Sequence, residues 1–314
     1  MTTTNANAAS VASPSSEMAS ELGKRVAVAA IGIPLAVLVL YIGGWVLAVI
    51  IAVIAAMGAR ELYLMAQAGG VTPLDGVGAP LAGLFVLLAQ ASAIDRGAAS
   101  WALVIGATLL VAGLVIWRRG VDGRPLGTSA ITIFGALLVG GGLSYAIALR
   151  GLGNDPTWVG AGSVIATAKG GAILLAMPIA LTWLGDTFAY FGGRTWGRRK
   201  LIPAVSPGKT VEGALSSVVG TTIMGAVYAW LILGVWLGVD YSLLLGALAG
   251  LLVSITAQIG DLAESLLKRE AGVKDSGALL PGHGGVLDRF DALLFTLPLM
   301  YWYLRLTLPS ALGA

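Results

Sequence analysis

The chain of 314 residues contains no cysteine. Disulfides, thiolate metal sites and a cysteine nucleophile are therefore excluded. Charge is scarce as well. Asp, Glu, Lys and Arg make up 11% of the residues, against about 25% in a soluble domain. So few charges cannot cover a soluble surface, and lipid is the expected solvent for most of the chain. Histidine occurs once, at His283. What is abundant is apolar: 57% of the residues are hydrophobic and the mean hydropathy is +0.88. The 45 glycines are about twice the usual share. In the first 150 residues they read as small residues that let membrane helices approach closely. The net charge of +3 is mild. In a membrane protein it marks cytoplasmic loops rather than a nucleic-acid partner.

A membrane helix needs roughly 20 mostly apolar residues. Charge-free windows fall at 26–59, 76–94, 97–117, 125–149, 170–185, 213–239, 241–260 and 292–304. The first is too long for one crossing, and Gly43-Gly44 divides it into spans at about 26–42 and 45–67, with Arg60 snorkelling to the interface. The window at 170–185 is expected to continue past Asp186, and that at 241–260 past Asp261. The fold class is therefore an all-α integral membrane protein, a polytopic bundle of about nine transmembrane helices. Placing the basic segment 194–210 in the cytoplasm puts only Arg96, Arg150, Lys169 and Arg305 outside, leaving fifteen of the nineteen basic residues inside. That bias predicts a cytoplasmic N-terminus and an external C-terminus. Residues 1–24 form a polar tail expected to be disordered, with no cleaved-signal pattern. Residues 25–168 are expected to be scaffold helices with a role in dimer contacts. Residues 169–314 form the catalytic region, with cytoplasmic loops 194–210 and 268–289.

Half of the charge lies in one third of the chain. Residues 186–291 hold eighteen of the thirty-five charged side chains and His283. Several of the acidic ones lie in or at the ends of spans, where an ionisable group costs a few kcal/mol unless it meets water, a partner or an ion. Asp186 is the clearest case. Asp261, Glu264, Ser265 and Lys268 are spaced to form one polar stripe at a helix end. Asp288 and Asp291 stand one turn apart at the start of the last span. Carboxylates at two helix ends suit Mg²⁺, which takes one or two carboxylates plus substrate phosphates. Structural ion pairs, Asp261 with Lys268 and Asp288 with Arg289, explain the same spacing equally well.

Two loops stand beside these carboxylates. In the first, Pro281-Gly282-His283-Gly284-Gly285 offers glycines that let backbone N–H groups approach an anion. His283 within it is a candidate phosphate donor or acid–base group, against the alternative of an ordinary surface histidine. The second carries Arg194, then Arg198-Arg199-Lys200, then Ser206-Pro207-Gly208-Lys209-Thr210-Val211-Glu212. It is not a P-loop, because Pro203 stands where that pattern needs glycine and no strand is expected before it. It reads as the start of a helix capped near Thr210, with N–H groups available to an anion. The arginine run also fits simple anchoring at the inner membrane face.

Together these segments resemble the phosphatidate cytidylyltransferase family, the CDP-diacylglycerol synthases. Ser265, Lys268, Arg269, Lys274, Asp275, Gly277, Pro281, Gly282, His283, Gly284, Gly285, Asp288, Arg289 and Asp291 stand at the family's signature spacing. Gly185-Asp186-Thr187-Phe188-Ala189-Tyr190 and Ser206-Pro207 with Lys209, Thr210, Glu212 and Gly213 are also family-like. One departure is Gly208, where many members carry lysine. The resemblance implies that CTP and phosphatidic acid give CDP-diacylglycerol and pyrophosphate, with Mg²⁺ at Asp261 and Asp288. A second metal or a monovalent cation is left open. Asp261, Asp288, Lys268 and His283 are the catalytic candidates. Asp186, Arg194, Ser206, Lys209, Thr210, Glu212, Ser265, Arg269, Lys274, Asp275, Gly284, Gly285, Arg289 and Asp291 are the candidates for binding substrate. The resemblance further implies a homodimer, and the charge bias predicts a site on the cytoplasmic side of the cell membrane.

The chemistry asks for little proton transfer. A phosphomonoester has its second pKa near 6, so the nucleophile is already ionised at neutral pH. The difficulty is bringing an anionic lipid to an anionic nucleotide, which calls for positioning and neutralisation. Two other classes use similar parts: a CTP-dependent kinase of a polyprenol or phytol, and a cation-coupled transporter. The second usually places its carboxylates at the membrane midplane, whereas most of these lie at span ends.

Overall fold

A computed structural model describes residues 30, 32–91, 98–154, 165, 167–277 and 284–311. Among these residues the chain forms nine helices in sequence. They are α1 (Gly32–Ile42), α2 (Gly44–Ala68), α3 (Asp75–Ala91), α4 (Ala98–Arg118), α5 (Pro125–Arg150), α6 (Ala168–Trp196), α7 (Val211–Trp236), α8 (Leu243–Glu270) and α9 (Leu287–Ala311). Five of them, α2, α5, α6, α7 and α8, are long and apolar enough to cross a membrane. The all-α membrane class is as expected. Helix α9 is also long, but Tyr301-Trp302-Tyr303 and Arg305 dilute its apolar run. The N-terminal tail, His283 and the C-terminal Ala314 lie outside the described residues.

Helix boundaries follow from backbone chemistry. Gly43 and Gly44 take φ of 62° and 55°, a left-handed conformation that other residues adopt only with strain, so the long apolar run breaks there. Arg150 closes the break. Its guanidinium donates to the carbonyls of Leu40 at 2.9 Å and Tyr41 at 2.8 Å, which α1 leaves without helical partners.

The packing uses small residues as the glycine content suggests. A Cβ at Gly140 would strike the Ala82 backbone, and one at Gly250 the backbone of Thr221. Helices α3 and α5, and α7 and α8, therefore approach to backbone contact. Tyr63 is fully buried on α2 and donates its hydroxyl to the Thr132 carbonyl of α5 at 2.7 Å. Large apolar side chains point outward along the rods, among them Val49, Val53, Ile105, Leu109, Ile223, Trp230 and Leu244. Such a surface is stable only against lipid or another apolar partner.

One element departs from the helical plan. Strands β1 (Lys200–Ile202) and β2 (Ser206–Thr210) pair antiparallel between α6 and α7, with Lys200 opposite Thr210 and Ile202 opposite Ser206. No strand was expected before Ser206. The hairpin is too short to show alternation and is held from outside itself. The Glu212 carboxylate accepts the N–H groups of Arg198 at 2.9 Å and Arg199 at 3.1 Å, and Val211 N–H donates to the Arg199 carbonyl at 2.9 Å.

Candidate active site

Helix α6 continues through Asp186 to Trp196, and α8 continues through Asp261 to Glu270. Both extensions carry acidic residues out of apolar runs toward the hairpin. Thr210 caps α7 as its spacing suggests, its side chain accepting Gly213 N–H at 3.1 Å. Gly193 sits against Thr210 and Gly213, where a side chain would not fit. These contacts fix the hairpin over the ends of three helices.

A cavity of about 590 Å³ lies between α6, α7, α8 and the hairpin. Asp186, Arg194, Lys209, Thr210 and Asp261 line it. Lys209 Nζ lies 2.6 Å from Asp261 Oδ2. Asp186 and Asp291 both feel the repulsion of Asp261, and Lys209 offsets it at Asp186. Arg194 is steered by Tyr190, whose hydroxyl accepts from its guanidinium at 2.7 Å. Deeper in the cavity, Ser217 and Ser254 are 2.9 Å apart and Gln258 donates to Ser254 at 3.2 Å. The expectations from sequence did not include these three, because single hydroxyl and amide residues in apolar spans carry no charge signal.

A second polar cluster joins α8 to α9. The predicted stripe is present: Ser265 donates to Asp261 Oδ1 at 3.3 Å and Lys268 meets Glu264 Oε2 at 2.6 Å. Lys268 also reaches Asp288 Oδ1 at 2.7 Å. Asp288 Oδ2 accepts the N–H groups of Ser276 at 3.0 Å and Gly285 at 2.8 Å. Ion pairs are therefore present: Asp261 holds Lys209 rather than Lys268, and Asp288 holds Lys268. Asp291 accepts Ala292 N–H at 2.7 Å.

Other candidates stand apart from the cavity. Arg269 donates to the carbonyls of Val205 at 3.1 Å and Val273 at 3.3 Å, which ties the hairpin to the following loop. Glu212 holds the hairpin backbone. Lys274, Asp275 and Arg289 are exposed, and Gly284 takes φ of 77°. Ser206 lies in β2. His283 falls outside the described residues.

The donor set fits a hard divalent cation. Every acidic group here offers oxygen, and Glu264 Oε1 is buried without a hydrogen-bond partner. Among the described residues no three acidic or imidazole groups converge into a ready-made cage. Mg²⁺ does not require one, since it takes one or two carboxylates and completes its shell with water and phosphate.

A membrane bundle with a cavity lined by Lys209, Arg194, Asp186 and Asp261 suits an anionic substrate. The profile of the Cytidylyltransferase family matches residues 23–307. This chain belongs to that family. It is 35% identical over 299 residues to a phosphatidate cytidylyltransferase of Synechocystis sp., covering 91% of this chain and 97% of that protein. It is 33% identical over 303 residues to phosphatidate cytidylyltransferase 4, chloroplastic, of Arabidopsis thaliana, covering 92% and 75%. A phosphatidate cytidylyltransferase of Bacillus subtilis is 47% identical over 124 residues, 40% of this chain and 44% of that protein. As a member of the cytidylyltransferase family the chain is a nucleotidyltransferase built into a multi-pass helical membrane protein. Glu61 is the cluster member that sequence reasoning passed over. It is buried on α2 and accepts hydrogen bonds from the loop before α9. A lone acidic residue in an apolar span was the available signal, and only its neighbour Arg60 was assigned a place.

Proposed function

We propose that this chain transfers the cytidylyl group of CTP to phosphatidic acid, releasing pyrophosphate and leaving CDP-diacylglycerol in the membrane. The observation that carries this reading is the cavity in which Lys209 and Arg194 stand beside Asp186 and Asp261 at the ends of membrane helices. Membership of the family and the names of the full-length relatives support it. An oxygen of the lipid phosphate forms a bond to the α-phosphorus of CTP. The bond between the α-phosphorus and its bridging oxygen breaks, and pyrophosphate leaves with the electron pair. The nucleophile needs no base, because its second ionisation is largely complete at neutral pH. The work of the chain is to hold two anions in line. Lys209 and Arg194 supply positive charge inside the cavity, and Lys268 supplies it at the α9 end. Positioned charge of this kind is the main term in phosphoryl-type transfer.

Asp261 and Asp288 are the proposed holders of Mg²⁺. When bound, it would supply a Lewis acid that offsets phosphate charge. The positive-inside bias supports a cytoplasmic N-terminus and a site on the cytoplasmic face of the cell membrane. As the resemblance implies, the functional unit is proposed as a homodimer. The test uses purified protein with labelled CTP and phosphatidic acid. Divalent-dependent CDP-diacylglycerol with equimolar pyrophosphate is expected. Release of CDP with a phosphorylated lipid alcohol would instead mark a lipid kinase, and no lipid product at all would overturn the reading.

A further inference from the structure

Helix α2 belongs to the scaffold half of the chain, yet it sends one carboxylate into the loop that precedes α9. Glu61 is 5% exposed. Its Oε1 accepts Val286 N–H at 2.9 Å. Its Oε2 accepts Leu287 N–H at 2.8 Å and the Ser276 hydroxyl at 2.9 Å. Leu287 opens α9, so Glu61 caps that helix from a different helix. The cap satisfies N–H groups that a helix start leaves without partners, and its charge suits the positive end of the helix.

The same loop residues hold Asp288. Ser276 gives its hydroxyl to Glu61 and its N–H to Asp288 Oδ2. Gly285 gives its N–H to Asp288 Oδ2. A Cβ on Gly285 would meet both Ser276 Oγ and Glu61 Oε2, and a Cβ on Gly277 would come within 2.6 Å of Glu61 Oε1. Two glycines of the signature segment are thus needed where the Glu61 carboxylate sits. The N–H of Gly285 is already given to a carboxylate. Asp288 in turn holds Lys268. A chain of direct contacts therefore runs from Glu61 through Ser276 and the first turn of α9 to Asp288 and Lys268.

We propose that Glu61 is a positioning residue for the transfer reaction: it clamps residues 276–277 and 284–287 and thereby fixes Asp288 and Lys268. The proposal rests on the cytidylyltransfer reading above. None of these three hydrogen-bond partners of Glu61 lines the α6–α8 cavity, so its loss should act on turnover rather than on nucleotide binding.

The test is Glu61→Gln. All three partners are donors, two of them backbone N–H groups on different oxygens. The NH₂ of glutamine must therefore face one N–H in either orientation. In folded protein, kcat is expected to fall about 10- to 100-fold, the usual effect of losing a residue that orients a metal-site carboxylate. The KM for CTP should stay within about twofold. Ser276→Ala should lower kcat less. The double variant should lose less than the product of the two single losses, because both break one linkage. Wild-type kcat in folded Glu61→Gln overturns the proposal, as does a loss carried by KM alone. If Glu61→Gln does not fold, Ser276→Ala decides, and wild-type kcat there overturns it. Wild-type protein assayed in parallel separates the two readings, since a wild type that makes no CDP-lipid refutes the function and not the clamp alone.

Discussion

Lys209 on the hairpin and Asp261 on α8 meet at 2.6 Å across the mouth of the α6–α8 cavity. Both side chains stay partly exposed, at 26% and 36%. The Lys209 ammonium nitrogen itself is buried, while about a third of the Asp261 side chain stays exposed. Asp261 is thus accessible to a ligand from the cavity it lines. Asp288 differs, because both of its oxygens are engaged by Lys268 and two backbone N–H groups.

The contrast separates two variants that sequence alone treats alike. Asp261→Asn is expected to cut turnover on the order of 10²-fold or more, as loss of a positioned charge does, with only a small fall in melting temperature, because the amide oxygen can still accept from Lys209. Asp288→Asn should cut turnover as deeply and also cost about 1–3 kcal/mol of stability, because its NH₂ must face an N–H or an ammonium. Melting in detergent beside the CDP-lipid assay checks both. Near-wild-type turnover in the two variants would refute their proposed role in holding the metal.

Lys268 stands between Glu264 and Asp288, with only 12% of its side chain exposed. Removing it leaves two buried carboxylates facing each other without a counter-charge. Lys268→Met should therefore destabilise the protein by about 3–5 kcal/mol. Adding Glu264→Gln removes one of the two charges. The double variant should regain part of the melting temperature but none of the activity. A Lys268→Met protein that melts with wild type contradicts this account.

The parts that depend on local period were legible in the sequence. The break at Gly43-Gly44 and the stripe Asp261, Glu264, Ser265 and Lys268 follow from backbone freedom and helical spacing. The partners were not legible, because they come from far along the chain. Asp261 and Lys209 are brought together by a hairpin of two short strands that no alternation announces. Glu61 meets partners 215 to 226 residues away, and two of the three are backbone N–H groups, which no residue pattern can mark. The family signature pointed to the right loop, but it could not reveal that Gly277 and Gly285 make room for a carboxylate from α2.

Metal removal tests the donor set directly. Chelation with EDTA is expected to stop CDP-lipid formation, and Mg²⁺ should restore it. Asp261→Asn should need a higher Mg²⁺ concentration for half-maximal rate, since one ligand charge is lost. Full activity in EDTA after exhaustive dialysis would exclude a role for an exchangeable divalent ion at these carboxylates.

The topology can be read chemically because the chain has no cysteine of its own. Val121 lies in the turn between α4 and α5 and is 90% exposed. Asp240, also exposed, lies in the link between α7 and α8. The positive-inside bias sets these two links on opposite faces, with Arg118, Arg119 and Arg124 holding the first in the cytoplasm. In intact cells, an impermeant maleimide should label Asp240→Cys and spare Val121→Cys until the membrane is opened. The reverse pattern would invert the protein and put the Lys209–Asp261 cavity on the outer face. Cytosolic CTP could not reach it there, so the same labelling also tests the proposed source of the nucleotide.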